Sequence, residues 1–351
     1  MGIGRVLGGL AIGTATAACL AQVCLGQSGG KLLVVEKGAQ SLGIVNTATG
    51  AVVSVPEEKL TGRDTGHEVA ASRDGKLAYV PIYGDSGVGK PGTDGREMVV
   101  IDVASGKVVR RVDFGHPVRP HLPVLGPPVA GAPDGLLYVT TELDKAVTVV
   151  DPQTLKILGT VPTGSAESHM LAVSHDGKRG YTANVGPGTV SVLDLVNRKL
   201  VTVIPVSGPG QAIQVQRISI SVDDRRVFTS DQSKPELDVI DTATNTVVKR
   251  VPMESAGYGS APTPDGRWLL VAMEAVNKVA VVDLKTLAVA RTVDVSATPQ
   301  AVLVRPDGKF AYVSCDRSGS VAEIDLASWK VTRTLPVGKL ADGMAWAKGR
   351  D

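Results

Sequence analysis

Four of the five histidines, His67, His116, His121 and His169, fall within residues 67–169. Carboxylates stand beside two of them: Glu68 adjoins His67, and Glu167 precedes His169 by two positions. Neutral imidazoles grouped with a carboxylate can hold a divalent transition metal and leave a coordination position for substrate. Such a metal polarises a carbonyl while Glu68 or Glu167 moves protons. Arg119, in "HPVRPH", suits bidentate recognition of a carboxylate or phosphate. Tyr258, in "GYGS", offers a phenolic proton or a stacking face. Each residue also has a plainer reading. Channel-lining imidazoles can be solvated or bonded to backbone, an arginine can pin its loop, and a tyrosine can plug a channel.

The stretch "GDSGVGKP", residues 84–91, nearly spells a phosphate-binding loop, but Pro91 stands where a hydroxyl residue should hold magnesium. Its flanks, "KLAYVPI" and "EMVVID", are strand-like, and a phosphate loop needs a helix N-terminus behind it. The expectation is an elongated surface loop and no nucleotide.

The elements that must position these residues repeat along the chain. Seven copies of an apolar strand, an acidic or amide marker, a polar turn and a second apolar strand are marked by Asn46, Asp102, Asp151, Asp194, Asp241, Asp283 and Asp325. A carboxylate or amide at that place accepts backbone N–H groups of the turn it begins, so these acids are structural. Six copies are preceded by a second hairpin, mostly built on Asp-Gly, as in "VAASRDGKLAYV" and "VLVRPDGKFAYVS". Four strands per repeat of about 42 to 56 residues is the period of a propeller blade. The chain's ends supply the missing hairpin: "KLLVVEKG" and "ADGMAWAKG" pair to close the ring and leave no open sheet edge. The fold class is all-β, a seven-bladed propeller over residues 31–351.

The repeats "LYVTT", "GYTAN" and "AYVSC", each followed by an apolar strand ending in Asp, resemble the YVTN-type propeller repeat family. That resemblance implies the fold over residues 31–351 and an exported protein. It leaves activity open among surface-binding proteins, lactonase-like hydrolases, lyases and haem-bearing domains.

Counting seven residues back from each hairpin Asp gives the start of the strand nearest the axis. The positions are His67, Pro127, His169, Gln216, Tyr258 and Gln300, with Asp342 added by the same register. Insertions at residues 81–96, 114–128 and 206–216 are assigned to the same face, and the opposite face is read as uniformly short. The expected site therefore has His67, His116, His121 and His169 as metal ligands. Glu167, Glu68 and Tyr258 are its catalytic groups, and Arg119, Gln216, Gln300 and Asp342 bind substrate. The expected cofactor is a divalent metal ion, without haem because no C-x-x-C-H motif occurs.

A net charge of +2 without blocks of like charge argues against a nucleic-acid partner. Residues 1–26 read as a secretory signal, with a lipoprotein signal ending at Cys19 as the alternative, which places the protein in the periplasm or outside the cell. No later run is long enough to span a bilayer. Cleavage after Gly26 would leave only Cys315, a packed thiol. Two functions compete: metal-assisted hydrolysis or lyase chemistry on a small oxygenated molecule, or non-catalytic binding of a surface partner. A redox propeller ranks below both, because one Cys and no haem motif leave only a copper at the histidine cluster to carry electrons. A monomer is expected in both.

Overall fold

The computed structural model describes residues 1–2, 29–57, 64–87, 91–207 and 215–349. The expected export signal, with Cys19 and Cys24, lies outside them. Seven antiparallel sheets surround one axis. Blade one combines Ala341–Ala347 with Lys31–Glu36, Ser41–Asn46 and Val52–Pro56, so both ends of the chain close the ring. Each later blade is a meander that starts at the axis. The innermost strands of blades two to seven are Thr65–Gly66 with Ala70–Ala71, Pro120–Leu125, Ser168–Val173, Val215–Ile220, Ser260–Pro262 and Pro299–Val304.

All seven marker residues do what their chemistry dictates. Asn46 and Asp102, Asp151, Asp194, Asp241, Asp283 and Asp325 each accept backbone N–H groups two or three residues ahead. The inner hairpins use a similar device, with Asp74, Asp176, Asp223, Asp265 and Asp307 each accepting the N–H two residues on. A left-handed residue follows each Asp. It is glycine in four blades, and Asp224 takes the role in blade five with φ 58°.

Apolar side chains of adjacent sheets fill the space between blades. Leu33, Leu42 and Ala345 of blade one pack with Val80, Val99 and Ile101 of blade two, all under a tenth exposed. Similar clusters seal the later interfaces. Each aliphatic side chain buried this way contributes about 1.5–3 kcal/mol relative to exposure. Among the described residues no helix is long and apolar enough to cross a membrane.

Blade three departs from the sequence register. Its innermost strand ends at Leu125, and residues 126–133 swell the hairpin on the far face, where Val129 bridges Ala132. Pro127 is therefore not at the channel mouth. His121 occupies that place, and the far face is not uniformly short. The strands flanking "GDSGVGKP" are Leu77–Gly84 and Asp94–Asp102, and Asp85 and Ser86 bond back to the carbonyl of Thr93. Among the described residues its two ends continue a hairpin, and the element behind it is the strand Asp94–Asp102, not a helix that could receive a phosphate.

Candidate functional site at the channel mouth

The innermost strands of blades one to five and seven lose register with their neighbours as they enter the sheet, and in blade six Tyr258 and Gly259 both bond Ala272. The extra residues fall at His67–Val69, His121–Leu122, His169, Gln216–Arg217, Gln300–Ala301 and Asp342–Gly343. A bulge adds one residue, bends the strand and re-aims a side chain. This repeated bulge gathers polar groups at one end of the channel.

Three imidazoles meet there. His121 and His169 stack with centroids 3.7 Å apart, and His67 lies edge-on to His121 at 5.4 Å. Tyr83 stacks on His67 at 4.6 Å and donates its hydroxyl to Glu142 at 2.9 Å. The other Glu142 oxygen is 2.5 Å from His169 Nδ1. A carboxylate only accepts, so His169 Nδ1 carries the proton. His121 Nδ1 likewise faces the carbonyl of His169, at 3.1 Å. Burial, with the charge of Lys37 nearby, lowers the pKa of His67 to about 3. Burial beside two other imidazoles also holds His121 well below its ordinary value. Both rings are neutral and keep a lone pair.

A buried ion network faces them. Arg217 donates to Glu68 at 2.5 Å and to Asp342 at 2.7 Å, and Lys37 reaches Asp342 at 2.8 Å. Burial raises both carboxyls, but Lys37 and Arg217 together overcome this at Asp342 and hold it low. Glu68 has only Arg217, and burial beside a second carboxylate pushes it up. Lys37 is driven down by burial and more strongly up by Asp342, so it stays charged. The Arg217 guanidinium lies 4.9 Å over the Tyr258 ring, and its buried Nε has no hydrogen-bond partner among the described residues. An open cavity of about 500 Å³ reaches this region along Lys37, Gln40, Thr65, His67, Asp85 and Leu340.

The expected residues divide accordingly. His67, His121, His169, Glu68 and Asp342 are brought together. His116 is not: it is exposed, and its Nε2 pairs with Asp144 at 2.9 Å. Glu167 adopts φ 57°, and its carboxylate turns to the space beside Gly186. Arg119 pins its loop, as its plainer reading allowed, bonding Asp94 at 2.8 Å with Glu142 at 3.6 Å. Tyr258 donates to Gln216 at 3.0 Å, so both belong to the wall. Gln300 is buried, with its carbonyl accepting the N–H of Gly259. Glu142, Tyr83, Lys37 and Arg217 were missed. A signal for Glu142 existed: second strands end in Glu36, Asn184 and Asp231, and Glu142 follows "LYVTT" at the matching place.

Residues 92–305, which are 214 of the 351, match the Cytochrome D1 heme domain. The chain belongs to the cytochrome D1 heme domain family. No curated protein matches it in sequence. Among solved structures, this D1-family propeller resembles hydrazine synthase of Kuenenia stuttgartiensis, with TM-score 0.64 and 18% identity over 83% of this chain and 92% of that one. It also resembles the dihydro-heme d1 dehydrogenase NirN in complex with DHE, with TM-score 0.60 and 17% identity over 90% and 74%. At such identities these two show the shared fold. The family corrects the expectation of a haem-free protein. The missing C-x-x-C-H motif excludes only covalent attachment to cysteines, and iron can also be held by an imidazole alone. The donor chemistry at the mouth fits: neutral imidazoles can ligate iron, and Lys37 and Arg217 match the carboxylates of a tetrapyrrole.

Proposed function

We propose that this D1-family propeller binds an iron tetrapyrrole of the haem d1 class non-covalently at the channel mouth. The observation that carries the reading is His67. It is the one imidazole of the three that lines the open cavity, it is held neutral, and no hydrogen bond engages its ring nitrogens among the described residues. His67 would hold the iron, while Lys37 and the unsatisfied Nε–H of Arg217 would receive carboxylates. When bound, such a group supplies redox and small-ligand chemistry. The chain's own residues orient and protonate. Tyr83 packs against His67 and fixes its ring plane, and burial raises the pKa of Glu68 beside Arg217, which suits it to exchanging a proton there. NirN is a dihydro-heme d1 dehydrogenase, and its likeness in fold supports the same ligand class here. The YVTN-type likeness adds the blade repeat and an exported location to this reading. Lactonase-like hydrolysis loses support, because Glu167 faces away and Glu68 is tied to Arg217.

Titration of the purified protein with ferric haem d1 tests the proposal. One equivalent should bind with the absorption signature of an imidazole-ligated ferric iron, and His67→Ala should weaken binding by about 10- to 100-fold. Absence of saturable binding, or unchanged binding and spectrum in His67→Ala, would overturn it.

A further inference from the structure

Behind His67 lies a second constellation. One ring nitrogen each from His121 and His169 and one carboxylate oxygen of Glu142 lie within 4.8 Å of one another, and all three residues are buried. We propose that His121, Glu142 and His169 form a separate site for a non-haem divalent ion of the zinc, cobaltous or ferrous type.

Ligand type and surroundings carry the assignment. Two imidazoles and a carboxylate are a borderline donor set, suited to late first-row ions rather than magnesium or calcium. The hydrogen bond from His121 Nδ1 to the carbonyl of His169 fixes its tautomer and leaves Nε2 free to ligate, as an outer partner does for a metal-bound histidine. Thr140 donates to the same carbonyl at 2.9 Å and fixes the backbone that carries His169. Tyr83 occupies one Glu142 oxygen, which leaves Oε1 for an ion. That oxygen now accepts the proton of His169 Nδ1, and an ion held by Nδ1 and Oε1 would displace this proton to Nε2 of the same neutral ring by a change of tautomer. Ligand atoms around one tetrahedral ion lie about 3.3 Å apart, so the 2.5 Å contact must open by less than about 1 Å and the two stacked rings must turn until their in-plane lone pairs converge. Both histidines sit in bulges, which can absorb such a movement better than a regular ladder.

The ligands come from the inner strands of blades three and four and from the loop after Thr141. The site therefore bridges two blades, and occupancy should stabilise their contact. It does not depend on His67 or on haem, so its test uses haem-free protein.

The experiment is a Co(II) titration of chelator-stripped, tag-free protein, read by visible absorption. One equivalent should bind with the intense bands of four- or five-coordinate cobalt, and Zn(II) should displace it. Glu142→Gln and His121→Gln should each weaken binding by about 100-fold, whereas His116→Ala, a change in an exposed pair, should leave it within about twofold. Thermal melts guard against misfolding: Zn(II) should raise the Tm of the wild-type protein and not that of His121→Gln. Absence of a saturable equivalent, or equal binding in Glu142→Gln and wild type, would overturn the proposal. So would an equal Zn(II)-induced shift in Tm in His121→Gln and wild type.

Discussion

Glu57 has been taken out of water, and burial outweighs the pull of Arg111 on its carboxylate. One oxygen accepts Gly66 N–H at 3.0 Å and the Thr65 hydroxyl, while Oε1 is buried without a hydrogen-bond partner among the described residues. Arg111 donates to the Glu57 backbone carbonyl and to the Glu97 carboxylate, each at 2.9 Å. Burial therefore raises the pKa to about 7 against two opposing hydrogen bonds and the charge of Arg111. The folded state binds the proton more tightly than the unfolded one, whose carboxyl titrates near 4.5. The stability from this group is then fully present below pH 4.5, falls as pH rises toward 7 and is flat above. Its loss between pH 5 and 8 is on the order of 2 kcal/mol. In urea denaturation, Glu57→Gln should be closer to the wild type at pH 5 and gain relative to it at pH 8. An identical pH slope in the two proteins would exclude the assignment.

At the scale of the element, the bulge decides what the mouth contains. Gly343 shows how tightly these bulges fit. Its N–H donates to the carbonyl of His67 at 2.9 Å, and a Cβ there would come within 2.6 Å of that oxygen and of Glu68 Cα. Its backbone is not in the left-handed region, so Gly343→Ala tests close approach rather than conformational strain. The added methyl must separate blades one and two, and the expected loss is about 1–3 kcal/mol by urea denaturation. A midpoint equal to the wild type would show that the blades yield freely. The same bulges explain which features the sequence disclosed. Marker acids and Asp-Gly hairpins are local chemistry, so the blades, their order and the closing pair could be read directly. Counting from a hairpin Asp along an ideal strand does not see an extra residue, and so it chose Gln216 over Arg217. It also could not see six extra residues in a hairpin, and so it chose Pro127 over His121. Glu142 and Lys37 come from loops between second and third strands, where contact across blades, not spacing along the chain, brings them to the site.

The whole molecule depends on closure. Lys31–Glu36 is paired on one side with Ser41–Asn46 and on the other with Ala341–Ala347, and Trp346 stacks on Tyr312 of blade seven at 6.0 Å. Asp342 belongs to that last strand, so the strand that shuts the ring also supplies the carboxylate shared by Lys37 and Arg217. Closure and site assembly are thereby one event. A chain ending at Leu340 should retain its other six inner strands but expose Lys31–Glu36 as an apolar edge. It should also leave Lys37 without its main partner and Arg217 with Glu68 alone. An exposed edge of this kind recruits other strands, so the truncated chain should self-associate in a concentration-dependent way by light scattering. Its Tm should fall by on the order of 10 °C, consistent with the loss of a few kcal/mol. A peptide of residues 341–349 added in trans should restore both the monomer and the single transition, since it supplies the missing ladder and the carboxylate together. A truncated protein that stays monomeric and melts as the full chain does would mean that the contacts between adjacent blades hold the ring without its closing strand.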